Sequence, residues 1–395
     1  MLIKKISLAL ATILSMVFVG GCSFMDTLFG EKNSASKIES LLEEEVIDFV
    51  VEAKRGRDPL VLQLTDPQII DSSQQRTPDR LSPSERDYWT KDSKEERCYK
   101  YIRQIIQRSS PDLILITGDI VYGQFDDDGS CLTEFIAFME SFNIPWAPIW
   151  GNHEAETNLG VDWQCEQFEK AENCLFKQRT LTGNGNYSIG IKQGDNLLRV
   201  FYMLDSNGCA SPSAKTLENK HFQSTSGFGA DQIEWYQDSI SALKKVYPEI
   251  KISFAFHIPM FAMYYAFAQE YGVDVENFSA LDLDKVGHNG DMGYLGGAFS
   301  GWDKDMTVWA DMKNLGVDSL LVGHYHENSA SIMYDGIRIQ FGQKSSAYDS
   351  INYRTEFGDI VFSSVEAGEA IVGGTLMQIS RADGMLLPMI MLYEE

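Results

Sequence analysis

Basic residues are too few in this chain for a surface that grips nucleic acid. Against 57 Asp plus Glu stand only 33 Lys plus Arg, a net charge of −24. Phosphate backbones are held by surplus Lys and Arg, so no nucleic-acid scaffold is expected as a partner. Small phosphate esters stay open, because bound cations supply positive charge locally. No Cys-x-x-Cys pair occurs, which argues against a structural zinc ribbon. No repeat period and no Pro/Gly-rich break divides the body, so one elaborate domain is the simplest partition. What is present, 44% hydrophobic and 12% aromatic residues in a chain of 395, fills one large core and excludes disorder, collagen and coiled coil.

The start of the chain reads as an export signal: Lys4 and Lys5, the apolar run Ile6 to Val19, then Gly20-Gly21-Cys22. That run is too short for a comfortable membrane span. Val-Gly-Gly-Cys resembles a bacterial lipobox, which implies that Cys22 becomes the lipidated first residue of the mature chain; the alternative is an ordinary secretory signal with a chance cysteine. The expected organisation is therefore a signal peptide over 1–21, a polar tether over 22–45 and one folded domain over 46–395. The protein is expected outside the cytoplasm, lipid-anchored to the bacterial cell membrane. Five further cysteines remain, an odd number. Cys165 and Cys174 flank a short segment, where a disulfide and two free thiols are both open.

Short apolar runs read as buried strands: Leu60 to Leu64, Leu113 to Ile116, Trp146 to Trp150, Ile252 to Phe256 and Leu320 to Val322. Amphipathic helices are expected over Ser93 to Arg108, Asp231 to Lys245 and Asp303 to Leu315, the last stopped by Gly316. Further strands are expected at Asn196 to Leu204, Ile337 to Phe341 and Glu369 to Ile379. Strands alternating with helices, each strand emptying polar residues at its carboxyl end, describe an α/β protein whose site lies along that edge.

In order, the strand ends carry Asp66-Pro67-Gln68, Gly118-Asp119-Ile120-Val121-Tyr122, Gly151-Asn152-His153-Glu154, His257 and Gly323-His324-Tyr325-His326. The chain has only six histidines, and four sit here. Any one of them alone reads more simply as a satisfied imidazole, but four together with two aspartates and an asparagine do not arise by chance. Carboxylate and imidazole ligands without thiolates suit iron, zinc or manganese. There are more ligands than one ion needs, and a carboxylate with two oxygens bridges two ions, which leads to a two-metal hydrolytic site.

This ordered set resembles the calcineurin-like metallophosphoesterase superfamily, and its purple acid phosphatase branch in particular, over residues 60–326. The resemblance implies a four-layer α/β/β/α sandwich with mixed sheets. In the superfamily the first block is usually Asp-x-His, and here Gln68 stands in the histidine's place. The purple acid phosphatases also lack that histidine and substitute a tyrosinate from Gly-Asp-x-x-Tyr, which Gly118 to Tyr122 provides. The other reading of Tyr122 is an aromatic packed near its loop.

By the same resemblance the first metal takes Asp66, Asp119, Tyr122 and His326, and the second takes Asp119, Asn152, His257 and His324, with Asp119 bridging. Fe(III) is then expected at the first position and Fe(II), Zn(II) or Mn(II) at the second. His153 resembles the residue that contacts the phosphate or protonates the leaving group; the alternative is a histidine that only supports a ligand. Asp119 and His153 are thus the catalytic candidates. The expected reaction is hydrolysis of a small phosphomonoester by attack of a metal-bound hydroxide. A phosphodiesterase on the same core and a non-catalytic phosphate- or metal-binding lipoprotein are the alternatives.

Overall fold

The computed structural model describes residues 34–73, 81–91, 94–274 and 276–395. Cys22 and the expected signal lie outside these residues, as does Ser93, where the first expected helix opens. Within the span expected as a tether, residues 34–43 form a helix whose Ile38 and Leu41 are buried in the common core. Polar neighbours hide this two-residue apolar stripe in the sequence.

Two large sheets carry the molecule. The seven-stranded sheet runs β1 (Phe49–Glu52), β5 (Tyr187–Gln193), β6 (Asn196–Met203), β7 (Lys251–Ala255), β10 (Val317–Val322), β12 (Ile337–Phe341) and β11 (Ser331–Tyr334). The five-stranded sheet runs β17 (Leu386–Leu392), β16 (Gly373–Ile379), β2 (Leu60–Leu64), β3 (Leu113–Thr117) and β4 (Trp146–Ile149). Both are mixed. β2, β3 and β4 run parallel, as do β6, β7, β10 and β12. Such strands are covered on both faces, which is why β3 reads as the unbroken run Leu-Ile-Leu-Ile-Thr and is wholly buried. Two small sheets flank them, one of β8 (Leu281–Asp282) and β9 (Tyr294–Leu295), the other of β13 (Ile351–Arg354), β14 (Ile360–Ser363) and β15 (Glu369–Ala370). The fold is α/β, a four-layer sandwich with mixed sheets, as expected.

Register brings the functional loops together. Leu64 lies opposite Ile116, and Ile116 opposite Pro148, so the three parallel strands end level. In the other sheet Ala255 lies opposite Leu321, and His257 follows two residues on. The two sheets are tied between interior strands by Gln63 of β2, whose Nε2 donates to Thr117 Oγ1 and to Val322 O of β10, each at 3.0 Å.

The helices differ from expectation in detail. Lys94–Ser109 buries Cys98, Ile102, Ile105 and Ile106 as the periodicity required, and Ala230–Val246 buries Tyr236, Ile240 and Leu243. The helix expected from Asp303 begins at Thr307. Met306 takes a left-handed conformation, and the Asp303 carboxylate accepts the N–H groups of Val308 and Trp309, capping from outside. Glu369 to Ile379 is two strands, β15 and β16, because the chain passes there from the small sheet to the large one. No disulfide joins Cys165 and Cys174. All five described cysteines are free and buried, and the Cys165 thiol lies 3.5 Å from Gln178 Oε1.

Candidate metal centre

The strand-end loops converge on two overlapping groups of ligands. Ligand atoms of Asp119, His257 and His324 lie within 4.8 Å of one another, and so do those of Asp66, Asp119 and His326. Asp119 belongs to both. Tyr122 and Asn152, which the resemblance adds to the first and second sets, are outside these two groups.

The backbone is forced into unusual conformations to achieve it. Asp66, Gln68, Asp119 and His324 all have positive φ, at 51°, 46°, 51° and 74°. Four non-glycine residues in this region at one site are strain held by their surroundings. Gly118 must be glycine on two counts: its φ is +87°, and a Cβ there would lie 2.5 Å from His257 Nδ1. At Gly151 a Cβ would lie 2.1 Å from Asp119 Oδ1. The glycines that open the second and third blocks therefore let the loops touch.

Two imidazoles are oriented as metal ligands are. His257 Nδ1 lies 2.8 Å from Thr117 O and His326 Nδ1 3.1 Å from Ser350 O. A carbonyl can only accept, so Nδ1 carries the proton in each, and Nε2 faces the carboxylates. His257 Nε2 lies 3.2 Å from Asp119 Oδ2, and His326 Nε2 lies 3.3 Å from Asp66 Oδ1. Asn152 Oδ1 stands 3.2 Å from His257 Nε2, beside the second group.

The electrostatics are those of a cation site. Burial opposes ionisation of Asp66, yet His326 and His257 bring its carboxyl down to about 2. Asp119 is likewise held well below the usual range, by His257 and His153 acting against its burial. Burial works against a protonated His257, but the Asp119 charge prevails and raises it to about 10. His324 goes the other way, down to about 3, through burial and the neighbouring His257 charge. A buried carboxylate pair ringed by imidazoles is stable only when cations or protons balance it.

His153 lies at the margin of this cluster. Its backbone N–H donates to Asp119 Oδ1 at 2.9 Å, and its Nδ1 lies 2.8 Å from Glu156 Oε2. Burial disfavours the imidazolium, but Asp119 and Glu156 outweigh it and raise His153 to about 8. Tyr122 packs its ring on His153 with centroids 3.9 Å apart, and also on Trp89 and Phe125.

Three supporting residues were not assigned roles from the sequence. Glu154 is fully buried and accepts the N–H groups of Ile120 at 2.5 Å and Gly151 at 2.8 Å, stapling the loops after β3 and β4. Glu156 is readable in retrospect as His-x-x-Glu across one tight turn, Glu154–Glu156. Lys344, 1% exposed, donates to Asp66 O at 2.8 Å and to Gln68 Oε1 at 2.9 Å, and no local pattern in the sequence marks it. Gln68, in the place of the usual histidine, donates from Nε2 to Asp119 Oδ2 at 3.3 Å.

Phe261–Tyr271 is a helix that buries Met263, Ala266 and Phe267, and Phe267 and Phe299 pack on Phe341. Phe299 reaches Tyr325, which stands between the two ligand histidines. His288 is a half-exposed loop residue paired with Glu270 at 3.2 Å.

The chain is 26% identical over 267 residues to probable inactive purple acid phosphatase 29 of Arabidopsis thaliana, covering 61% of each protein. It is 25% identical over 173 residues to phosphatase DCR2 of Saccharomyces cerevisiae, 40% of this chain and 28% of that one. It thus spans less than two thirds of the length of these curated relatives. Among solved structures, a dimetal phosphatase from Danio rerio is covered in full by 86% of this chain, with 12% identity and a TM-score of 0.43. The family model described as calcineurin-like phosphoesterase matches residues 60–328. With four of its five blocks supplying two ligand groups that share Asp119, and a family model matching residues 60–328, the chain belongs to the calcineurin-like phosphoesterase family.

Proposed function

We propose that this chain is a two-metal phosphomonoesterase working outside the cytoplasm, tethered through lipid on Cys22. The observation that carries the reading is the pair of ligand groups sharing Asp119, with His153 fixed beside them by Glu156. Asp66, Asp119 and His326, joined by Tyr122, would hold the first ion, and Asp119, Asn152, His257 and His324 the second. Fe(III) suits the first set through the phenolate oxygen, and Fe(II), Zn(II) or Mn(II) the second. When bound, the ions supply Lewis acidity toward the phosphoryl oxygens and make a coordinated water acidic near neutral pH.

The protein's own contribution is placement. The Nδ1 contacts of His257 and His326 fix their rings, and Glu154 holds the Asp119 loop against the Asn152 loop. His153, held through Nδ1 by Glu156, donates toward a phosphate oxygen or the departing alcohol from beside Asp119.

Since one relative is named a probable inactive phosphatase, the first test is turnover itself. Protein reconstituted with iron and each divalent partner is assayed on p-nitrophenyl phosphate and on bis(p-nitrophenyl) phosphate. Faster turnover of the monoester is expected. Preference for the diester makes the chain a phosphodiesterase, and metal uptake without turnover of either makes it a binding protein. Fractionation of cells carrying wild type or Cys22→Ser tests the anchor, with the variant expected to leave the membrane fraction.

A further inference from the structure

The residue that replaces the usual first-block histidine is not alone. Gln68 lies between a buried cation and the shared carboxylate: Lys344 Nζ donates to Gln68 Oε1 at 2.9 Å, and Gln68 Nε2 donates to Asp119 Oδ2 at 3.3 Å. An ammonium offers only donors, so it selects the oxygen end of the amide, and the NH2 end must face Asp119. The oxygen is thereby engaged away from the ligand cluster.

Lys344 is itself firmly placed. Its strand-like segment runs beside the first block, with Thr65 and Lys344 forming a parallel bridge. Ser345 N donates to Thr65 O at 3.0 Å, Thr65 N to Ser345 Oγ at 3.0 Å, and Ser346 Oγ to Pro67 O at 2.5 Å. A second donor contact of Lys344, to Asp66 O at 2.8 Å, ties the ammonium to the loop carrying the first carboxylate. A wholly buried lysine is costly unless its donors are satisfied, and here the partners are backbone and amide oxygens of the metal loop.

We propose that Lys344 is a positioning residue for the first ion: by engaging Gln68 Oε1 it turns the amide so that Nε2 donates to Asp119 Oδ2, fixing the shared carboxylate for a cation held with Asp66 and His326. This rests on the two-metal reading above. Gln68 then acts as an oriented donor to a ligand, and the Gln68–Lys344 pair forms one device whose halves lie 276 residues apart.

The test is a double-mutant cycle read by Mn(II) affinity, without any assay of turnover. Mn(II) is titrated by calorimetry into ion-free His324→Ala protein, in which the Asp66, Asp119, His326 group alone is complete. Lys344→Met should weaken binding at least about tenfold, the usual effect of removing a partner that orients a ligand. Added to Gln68→Ala, the same change should cost no more than about twofold, because the amide it orients is gone. A purely structural lysine would cost the same in both backgrounds, and that result, or an unchanged affinity in Lys344→Met, overturns the proposal. If Lys344→Met does not fold, Gln68→Met, a near-isostere leaving Lys344 in place, should show the tenfold loss, and unchanged affinity overturns the proposal. Mn(II) uptake by the parent keeps the two-metal reading whatever the cycle shows. A wild type that takes up no ion sinks both.

Discussion

The ring of Tyr122 lies over the imidazole of His153, with centroids 3.9 Å apart and planes inclined by 31°. Trp89 and Phe125 pack on the same tyrosine at 5.6 and 5.5 Å, ring contacts that a phenylalanine also makes. Tyr122→Phe should therefore leave the fold intact and remove only the oxygen. Iron-loaded wild type is expected to show a visible tyrosinate-to-iron charge-transfer band that the variant lacks. A colourless wild type, or a variant that keeps the band, returns Tyr122 to a packing role.

His324 and His326 are two residues apart in one turn yet fall in different ligand groups. His326→Ala should chiefly empty the first position and His324→Ala the second, each lowering turnover at least about 10²-fold if both charges stabilise the transition state. Metal analysis of the two purified variants reads this directly. Wild-type activity in either is incompatible with the assignment.

Much of this site was legible because its residues follow strands whose apolar runs are unmistakable. Leu113 to Thr117 announces Asp119, and Lys251 to Ala255 announces His257. The helix over residues 34–43 was not, since Ile38 and Leu41 stand among polar neighbours and only tertiary packing reveals their stripe. Nor was Lys344: its partner lies 276 residues away, and nothing in its neighbourhood separates a buried lysine from a solvated one. Glu156 was visible but unweighed, because His-x-x-Glu acquires meaning only once the turn closes.

Cation binding at the second position should release a proton. The carboxylate of Asp119 raises His257 to about 10 without an ion, and His257 Nε2 must be unprotonated to ligate. Below about pH 10 a cation therefore competes with a proton, so apparent affinity should rise with pH between 6 and 9. Calorimetry at pH 7.5 in buffers of different ionisation enthalpy should report close to one proton released per ion at that position. Uptake with no buffer dependence would mean that His257 is already neutral.

Far from the loops, Arg199 is 0% exposed and meets Asp318 through two contacts of 2.6 and 3.0 Å, with Gly384 O and Ser253 Oγ as further acceptors. Asp318→Ala leaves a buried guanidinium short of its counter-charge, which costs about 3 kcal/mol. Urea unfolding should show the loss as a lower midpoint at unchanged slope. A cost below about 1 kcal/mol would mean that the neutral acceptors suffice.

Glu156 offers the sharpest test of what His153 does. Its Oε2 lies 2.8 Å from His153 Nδ1 on a buried turn, so it both aims the ring and supplies part of the charge that keeps the imidazole protonated. Glu156→Gln preserves a hydrogen-bonding group of the same size and removes the charge. If His153 donates to phosphate or leaving group as an acid, the variant should lose about tenfold in kcat, the low end of the effect of removing a partner that orients a working histidine. Its basic limb should also move to lower pH, because the protonated form is then less favoured. Substrates with an acidic leaving group, which need no proton, should lose least. If all leaving groups suffer alike and the pH profile stays in place, Glu156 serves the fold of the turn, and His153 acts by contact with the phosphate alone.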